Sequence, residues 1–232
     1  MLRRRPYSRR YAPKTTKSTV YKKTTFKPRK KYIKSSISRR LPSGMPETFL
    51  THLNYSTNWN LSSAAGLMSL YQFNLNSIYD PDKTAVGHQP LWHDLFTSIY
   101  ENYRVLGCKI EAKMISRGKC VNVVFDPTDE TATYSSMNLV NEQKNTRQLL
   151  IAGTNPVIYR KYYPINKVLS VPMRNYMTDD VYNVTNGGNP LQNAILNVYC
   201  RALNGLDTTD IDIEMKLTYT VKFTDTIQQG SS

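Results

Sequence analysis

The stretch "DIDIEMKLTYTVKF", residues 210–223, constrains the fold more than any other. Ile211, Ile213, Met215, Leu217, Tyr219, Val221 and Phe223 alternate with Asp212, Glu214, Lys216, Thr218, Thr220 and Lys222. Period two over such a length specifies a long strand with one buried and one polar face. The segment "RVLGCKIEAKMIS" repeats the pattern, with Leu106, Cys108, Ile110, Ala112 and Met114 on one face and Lys109, Glu111 and Lys113 on the other. "NAILNVYCRAL" alternates less cleanly but is rich in strand formers, and "KCVNVVF" reads as a short buried strand. Weaker patterns at 48–55, 68–75, 157–163 and 168–174 bring the expected strands to eight.

Two segments break the rhythm. In "LWHDLFTSIYENY", Leu91, Leu95, Ile99 and Tyr103 recur every fourth residue after Pro90. This spacing predicts a helix of about three turns packed on apolar surface. "TRQLLIAG" reads as a second short helix ended by Gly153. Tight links ("RG", "PINK", "GLDTTD") alternate with long excursions at 76–102, 126–156 and 175–192. A chain crossing between two sheets, with its elaborate loops gathered at one end, produces that alternation. The expected fold is all-β: a single eight-stranded jelly roll, a two-sheet antiparallel sandwich with a short helix in a long loop. Long loops of this kind commonly serve as contact surfaces.

Charge divides the chain sharply. Residues 1–40 hold 16 Lys and Arg and no Asp or Glu, while the remainder holds 15 basic and 17 acidic residues. The formal charge is therefore +16 on the arm and −2 on everything after it. With few aliphatics and like charges throughout, the arm cannot offset the entropy of ordering by burial. The expected organisation is a basic flexible arm at 1–46, a sandwich at 47–226 and a tail at 227–232. An Arg-rich, acid-free N-terminus also describes a transit peptide. Here, however, Pro6, Pro13 and Pro28 interrupt the amphipathic helix such a peptide needs, and the cations come in tight blocks. The N-terminus lacks the apolar centre of a signal peptide, and no apolar run approaches a membrane span, so membrane insertion is not expected. Cys108, Cys120 and Cys200 are widely spaced with no paired motif, which reads as reduced thiols in an intracellular protein.

The stretch from Phe73 to Gly118 contains "NSIYDPD", then "GHQP", then the aromatic-rich segment, then "YRVLGCKI" opening a strand. In these parts and their order the chain resembles the capsid proteins of circovirus-like viruses, whose small circular single-stranded DNA genomes encode a replication initiator. The motif core covers about a fifth of the chain, and the arm is richer in Lys and Thr than the Arg-dense circovirus type. The resemblance implies a jelly roll that self-assembles into a T=1 icosahedral shell of sixty copies, with the arm turned inward onto the genome. It also implies a virion protein that passes through the host nucleus and meets nuclear import machinery and a host-cell receptor of unspecified chemistry.

The arm's own chemistry fits a nucleic acid, and the resemblance makes single-stranded DNA the expected partner. Arg3, Arg4, Arg5, Arg9, Arg10, Lys14, Lys17, Lys22, Lys23, Lys27, Arg29, Lys30, Lys31, Lys34, Arg39 and Arg40 supply the cations. Such a polycation binds phosphate chiefly by releasing counterions, steeply dependent on salt and nearly blind to sequence. Sixty copies would present about 960 such charges, enough to neutralise on the order of a thousand nucleotides directly. Tyr7, Tyr11, Tyr21, Phe26 and Tyr32 are interleaved and could stack on bases, or simply pack beneath the shell. The blocks Arg3–Arg5, Arg9–Arg10 and Lys27–Lys31 (Lys27, Arg29, Lys30, Lys31), together with Arg39–Arg40, also fit nuclear localisation signals.

Elsewhere, blander readings prevail. His88 and His93, with Asp80, Asp82 and Asp94 nearby, read as turn and capping residues rather than metal ligands. Asp212 and Glu214 fall on a polar strand face, in a solvated or subunit-facing role. Trp59 and Trp92 read as core or interface anchors. No nucleophile elbow, Walker loop, zinc-protease motif or paired carboxylates appear, so neither enzyme activity nor a cofactor nor a metal is expected. Two alternatives stay open: the jelly-roll shell protein of a small RNA virus, and a cellular nucleic-acid-binding protein with a basic tail.

Overall fold

The computed structural model describes residues 45–84, 87–129 and 133–227. Its strands are β1 (Thr48–Ser63), β2 (Ser69–Asn74), β3 (Tyr100–Ser116), β4 (Val121–Thr128), β5 (Arg147–Ile151), β6 (Val157–Pro164), β7 (Val184–Thr185), β8 (Ile195–Ala202) and β9 (Thr209–Thr226). Four short helices punctuate them: α1 (His93–Thr97), α2 (Met137–Asn141), α3 (Ile165–Val168) and α4 (Met173–Thr178). One sheet runs β1-β9-β3-β6, with the two-residue β7 also on β3, and the other runs β2-β8-β4-β5. All pairings between these strands are antiparallel. A chain crossing repeatedly between two such sheets defines a jelly roll, the expected fold, here with nine strands among the described residues rather than eight.

The long alternation falls on β9, at the centre of its sheet. Every odd residue from Thr209 to Phe223 is buried, and the strand pairs along its length with β1 on one side and β3 on the other. The opposing sheet contributes Phe73, Val121, Val123, Phe125, Leu196, Val198 and Cys200 to the same core. Tyr219 spans the gap: its ring is fully buried and its hydroxyl donates to the Asn74 carbonyl of β2 at 2.7 Å.

Several expectations are corrected. The helix predicted over 91–103 shrinks to five residues, and Tyr100 and Tyr103 instead open β3, paired with Thr226 and Phe223 of β9. Leu91 and Leu95 are exposed, so the four-residue spacing does not mark a packed stripe; Phe96 and Ile99 pack partly buried against the core, which Tyr100 and Tyr103 enter from the strand. "TRQLLIAG" is not a helix but contains the edge strand β5, which completes its ladder on β4, and Gly153 at φ 71° turns the chain after it. The strand expected at 168–174 is absent. Its place is taken by the end of α3, a loop and the start of α4, so "PINK" is helical entry rather than a hairpin link. The reason is tertiary: buried Arg104 donates to the carbonyls of Tyr176 (2.8 Å) and Asp179 (2.9 Å), satisfying the C-terminal end of α4.

Leu106 also departs from its expected face. The β3–β9 register shifts between Val105 and Gly107, so Leu106 is the extra residue of a bulge. Tyr103 and Val105 point inward before it, and Cys108, Ile110, Ala112 and Met114 after it. β1 runs eight residues beyond its expected end, carrying Trp59 into a stack on Tyr71 at 4.6 Å. The weak alternation in β8 has a simple cause: both its faces are covered. Long-loop residues Met137, Val140 and Tyr134 pack with Val124 and Tyr199 on the side away from the main core. Among the described residues no helix is long and apolar enough to cross a membrane.

Burial raises the phenols of Tyr163, Tyr176 and Tyr219 and pushes Tyr103 up to about 12. Each stays neutral in the fold but ionises near pH 10 in an unfolded chain, so their contribution is intact below about pH 10 and lost above it. Denaturant midpoints are expected to fall steeply between about pH 10 and 12. Replacing Tyr219 by Phe strands the Asn74 carbonyl and is expected to cost about 1–3 kcal/mol at neutral pH, read by chemical unfolding.

Candidate nucleic-acid interface and contact surfaces

The cationic and aromatic arm residues named above, from Arg3 to Arg40, lie outside the described residues, as do the nuclear-localisation blocks. The described chain begins at the root of that arm. The Pro46 carbonyl accepts from the Tyr100 hydroxyl at 3.0 Å, and Phe49 stacks on Phe96 (5.5 Å) and Tyr100 (6.3 Å). Phe96 in turn stacks on Phe223 at 5.0 Å. This aromatic group clamps the first residues of β1 to β9 and to the start of β3.

The solvent face of the β1-β9-β3-β6 sheet carries many cations, most of them already paired. Lys109 meets Glu111 at 2.9 Å, Arg160 meets the same carboxylate at 3.3 Å, and Lys113 meets Glu214 at 3.0 Å. Arg117 holds Asp212 through two bonds of 2.6 and 2.8 Å, and Lys119 meets Asp207 at 2.9 Å. These partners hold the carboxyls of Glu111, Asp207 and Asp212 below the usual range, in each case first through the hydrogen bond from the basic side chain. Exposed pairs of this kind add little stability. Their consequence is electrostatic: opposite charges cancel across the sheet. Asp212 and Glu214 are thus the counterions of Arg117 and Lys113.

The segment "NSIYDPD…GHQP" is a hydrogen-bonded knot. The Asn76 side chain donates to Gln192 O (2.8 Å) and accepts from Ala194 N (2.9 Å), and Ser77 donates to Asn189 (2.6 Å). Asp82 accepts from the Tyr71 hydroxyl at 2.6 Å and from Thr84. Burial and that bond push the Tyr71 phenol up to about 12, while burial, then Asp82, raises Asp80. His88 contacts the carbonyls of Gln89 (2.8 Å) and Ser56 (3.1 Å), whereas His93 lies 3.1 Å from Asp94. The two histidines are therefore engaged separately. Among the described residues no group of three or more His, Cys, Asp or Glu is placed to hold a metal. The three cysteines are free, Cys108 and Cys200 buried and Cys120 exposed.

The knot lashes the 75–99 loop to the 165–194 loop, helped by Asn186, which donates to the carbonyls of Thr97 and Tyr100, and by the Tyr103 hydroxyl, which donates to Gly188 O at 2.9 Å. On its outside stand Leu91, Trp92 and Leu95, all well exposed. Trp92, 62 % exposed and at φ 73°, is thus no core anchor.

No family description and no curated protein matches the sequence. Solved structures with similar folds include the decameric BFDV capsid protein, at 14% identity over 77% of this chain and 99% of that chain, with a TM-score of 0.42. A semi-empty virus-like particle of Macrobrachium rosenbergii nodavirus matches at 10% identity over 79% of this chain and 97% of that chain, TM-score 0.45. Cocksfoot mottle virus matches at 9% identity over 78% and 96%, TM-score 0.47. All three are viral structures. The strand order described above, rather than these distant likenesses, carries the fold assignment.

Gly87 opens "GHQP" because nothing larger fits: a Cβ there would lie 2.7 Å from both Asp82 Cβ and the Tyr55 hydroxyl. Gly87→Val is expected to spring the knot and cost roughly 1–3 kcal/mol, the scale of overpacking, measured by thermal or denaturant unfolding.

Proposed function

We propose that this chain is the shell protein of a small virus and that its cationic N-terminal arm packages a circular single-stranded DNA genome. The observation that carries this reading is the division of charge. The arm bears +16 and the rest of the chain −2, and on the sandwich the cations of the long sheet are largely matched to carboxylates. A body with little net attraction for phosphate suits a container wall. A concentrated tether suits a salt-sensitive grip on whatever polymer lies within. The jelly roll supplies a rigid block, and exposed Leu91, Trp92 and Leu95 supply apolar contact surface for a second copy.

The finer parts of the proposal are a T=1 shell of sixty copies, DNA as cargo, and nuclear entry through Arg3–Arg5, Arg9–Arg10 and Lys27–Lys31. They are supported by the resemblance of "NSIYDPD…GHQP" to circovirus-like capsid proteins, because the arm's electrostatics register phosphate and not sugar. Enzyme activity forms no part of the proposal.

The purified full chain is expected to form closed hollow particles by electron microscopy, whose nucleic acid is destroyed by DNase and spared by RNase. RNase sensitivity would favour an RNA-virus shell instead, and solitary molecules would favour a cellular binding protein. Removing residues 1–40 is expected to abolish retained nucleic acid at physiological salt while leaving cooperative unfolding intact. Reversing Lys109 and Lys113 is expected to change cargo far less, and equal loss in that variant would assign the grip to the wall.

A further inference from the structure

The two sides of the sandwich treat their strand edges differently. At one side loop backbone covers them. The Asn74 N–H of β2 donates to Pro81 O at 2.8 Å, Gln72 O accepts from Lys83 N at 3.2 Å, and Asn54 O of β1 accepts from Leu91 N at 3.3 Å. At the other side β5 and β6 end their sheets, and among the described residues no loop backbone bonds to either. A cavity of about 800 Å3 opens there. The pleat turns Arg147, register partner of Phe125, and Lys161, which lies between Tyr159 and Tyr163, into the same space between the sheets. The Phe125 ring stacks on Tyr159 at 4.4 Å, so the two cations flank one aromatic contact. Half-buried Leu149 and Val168 line the cavity, and so does exposed Lys167. Among the described residues no carboxylate forms an ion pair with Arg147, Lys161 or Lys167. Asp126, the acid that acts on the Tyr163 phenol, is buried and hydrogen-bonded to Asn197 at 3.3 Å.

A complementary surface stands at the opposite edge of the long sheet, where Leu91 runs beside β1 and leads into α1. Leu91, Trp92 and Leu95 are exposed within five residues. Asp94, among them, has a side chain 93 % exposed that touches His93 Nδ1 at 3.1 Å. Trp92 lies in the left-handed region, which a bulky residue occupies only under strain. Its exposed ring finds little burial within the chain to offset that strain. Since β1 and β6 are the two ends of one sheet, this tip and the cavity point away from each other and cannot meet in one molecule.

We infer that the β5–β6 cavity receives the α1 tip of a second copy, Trp92 against Leu149 and Val168, and Asp94 on Arg147 and Lys161. Charge complementarity selects this occupant: an apolar tip carrying a carboxylate matches a partly apolar cavity lined by unpaired cations. A tryptophan flanked by leucines is the kind of anchor that dominates such contacts. Because the two surfaces differ, the contact is head-to-tail, the type that closes identical copies into rings. The inference rests on the proposed shell role and names surfaces through which its copies meet. Two competitors use the same cations: a bound polyanion, and plain guarding of open strand edges.

Zero-length carbodiimide coupling tests the contact, because it joins only a carboxylate and an amine that already touch. Full chains, half of them isotopically heavy, are assembled together, coupled and digested. An Asp94–Lys161 or Asp94–Lys167 peptide pair is expected, with mixed heavy–light forms as abundant as unmixed ones, the mark of a link between copies. Trp92→Ala is expected to leave cooperative unfolding intact and to raise the concentration for half-assembly at least about tenfold. Asp94→Lys and Lys161→Glu should each weaken assembly by about the same factor, and the double variant should recover most of it. Disruption by both single reversals without recovery in the double variant would place the residues in separate contacts and overturn the pairing. Particles that lack the mixed link and ignore Trp92→Ala would overturn this inference and spare the shell reading. The mixed link in rings or chains that never close would do the reverse, and solitary molecules would overturn both. Lys161 that stays open to acetylation in particles, and is protected only by an added thymidine oligonucleotide, would give the cavity to a polyanion and overturn the contact. Lys161 open with and without the oligonucleotide would leave only edge guarding and overturn it likewise.

Discussion

The pairing of β9 between β1 and β3 is the constraint on which the rest of the structure depends. Its inward side chains, from Ile211 to Phe223, form the longest continuous stripe of the core. Its backbone holds two neighbours in fixed register, so a slip of one residue would turn seven apolar side chains to water and six polar ones inward. The arm's root, the start of β3 and the end of β9 then meet at one place because Phe49, Phe96, Tyr100 and Phe223 stack there.

Upon that frame the loops are held by buried apolar residues such as Leu75, Ile78 and Ile165 and also by hydroxyls and amides. Tyr100, Tyr103, Tyr176 and Tyr219 are buried rings whose hydroxyls each reach a backbone carbonyl distant in sequence. A tyrosine in this role fills volume like phenylalanine and satisfies a carbonyl that irregular chain would otherwise leave bare. Asn76, Ser77 and Asn186 act similarly across the two long loops. The result is a densely hydrogen-bonded end of the sandwich, at which Leu91, Trp92 and Leu95 are exposed.

Charge follows the same division between frame and attachment. On the long sheet Lys109, Lys113 and Arg117 meet carboxylates on the same strand or across the β3–β9 pair, whereas the N-terminal segment has no acidic residue to oppose its cations. The open edge at β5 and β6 is the exception on the body: Arg147 and Lys161 face inward there without a carboxylate lining the cavity.

The sequence by itself determined the sandwich, its long central strand and the partition of charge. Each rests on local periodicity or simple counting, and neither needs a distant partner to be read. It misassigned 91–103, 146–153 and 168–174, where short apolar runs suit helix and strand alike. There the choice was made by ladders and bonds to remote residues: Tyr103 on Phe223, Arg147 on Phe125, and Arg104 on the carbonyls ending α4. The knot at "NSIYDPD…GHQP" was legible as turn chemistry, but its attachment to Gln192 and Asn189 was not, because those contacts join residues more than a hundred positions apart. The cavity between β5 and β6 is illegible in the sequence for the same reason. Lys161 looks like an ordinary surface lysine until the pleat places it between two buried tyrosines, and only the meeting of two sheet edges brings Arg147 to face the same space.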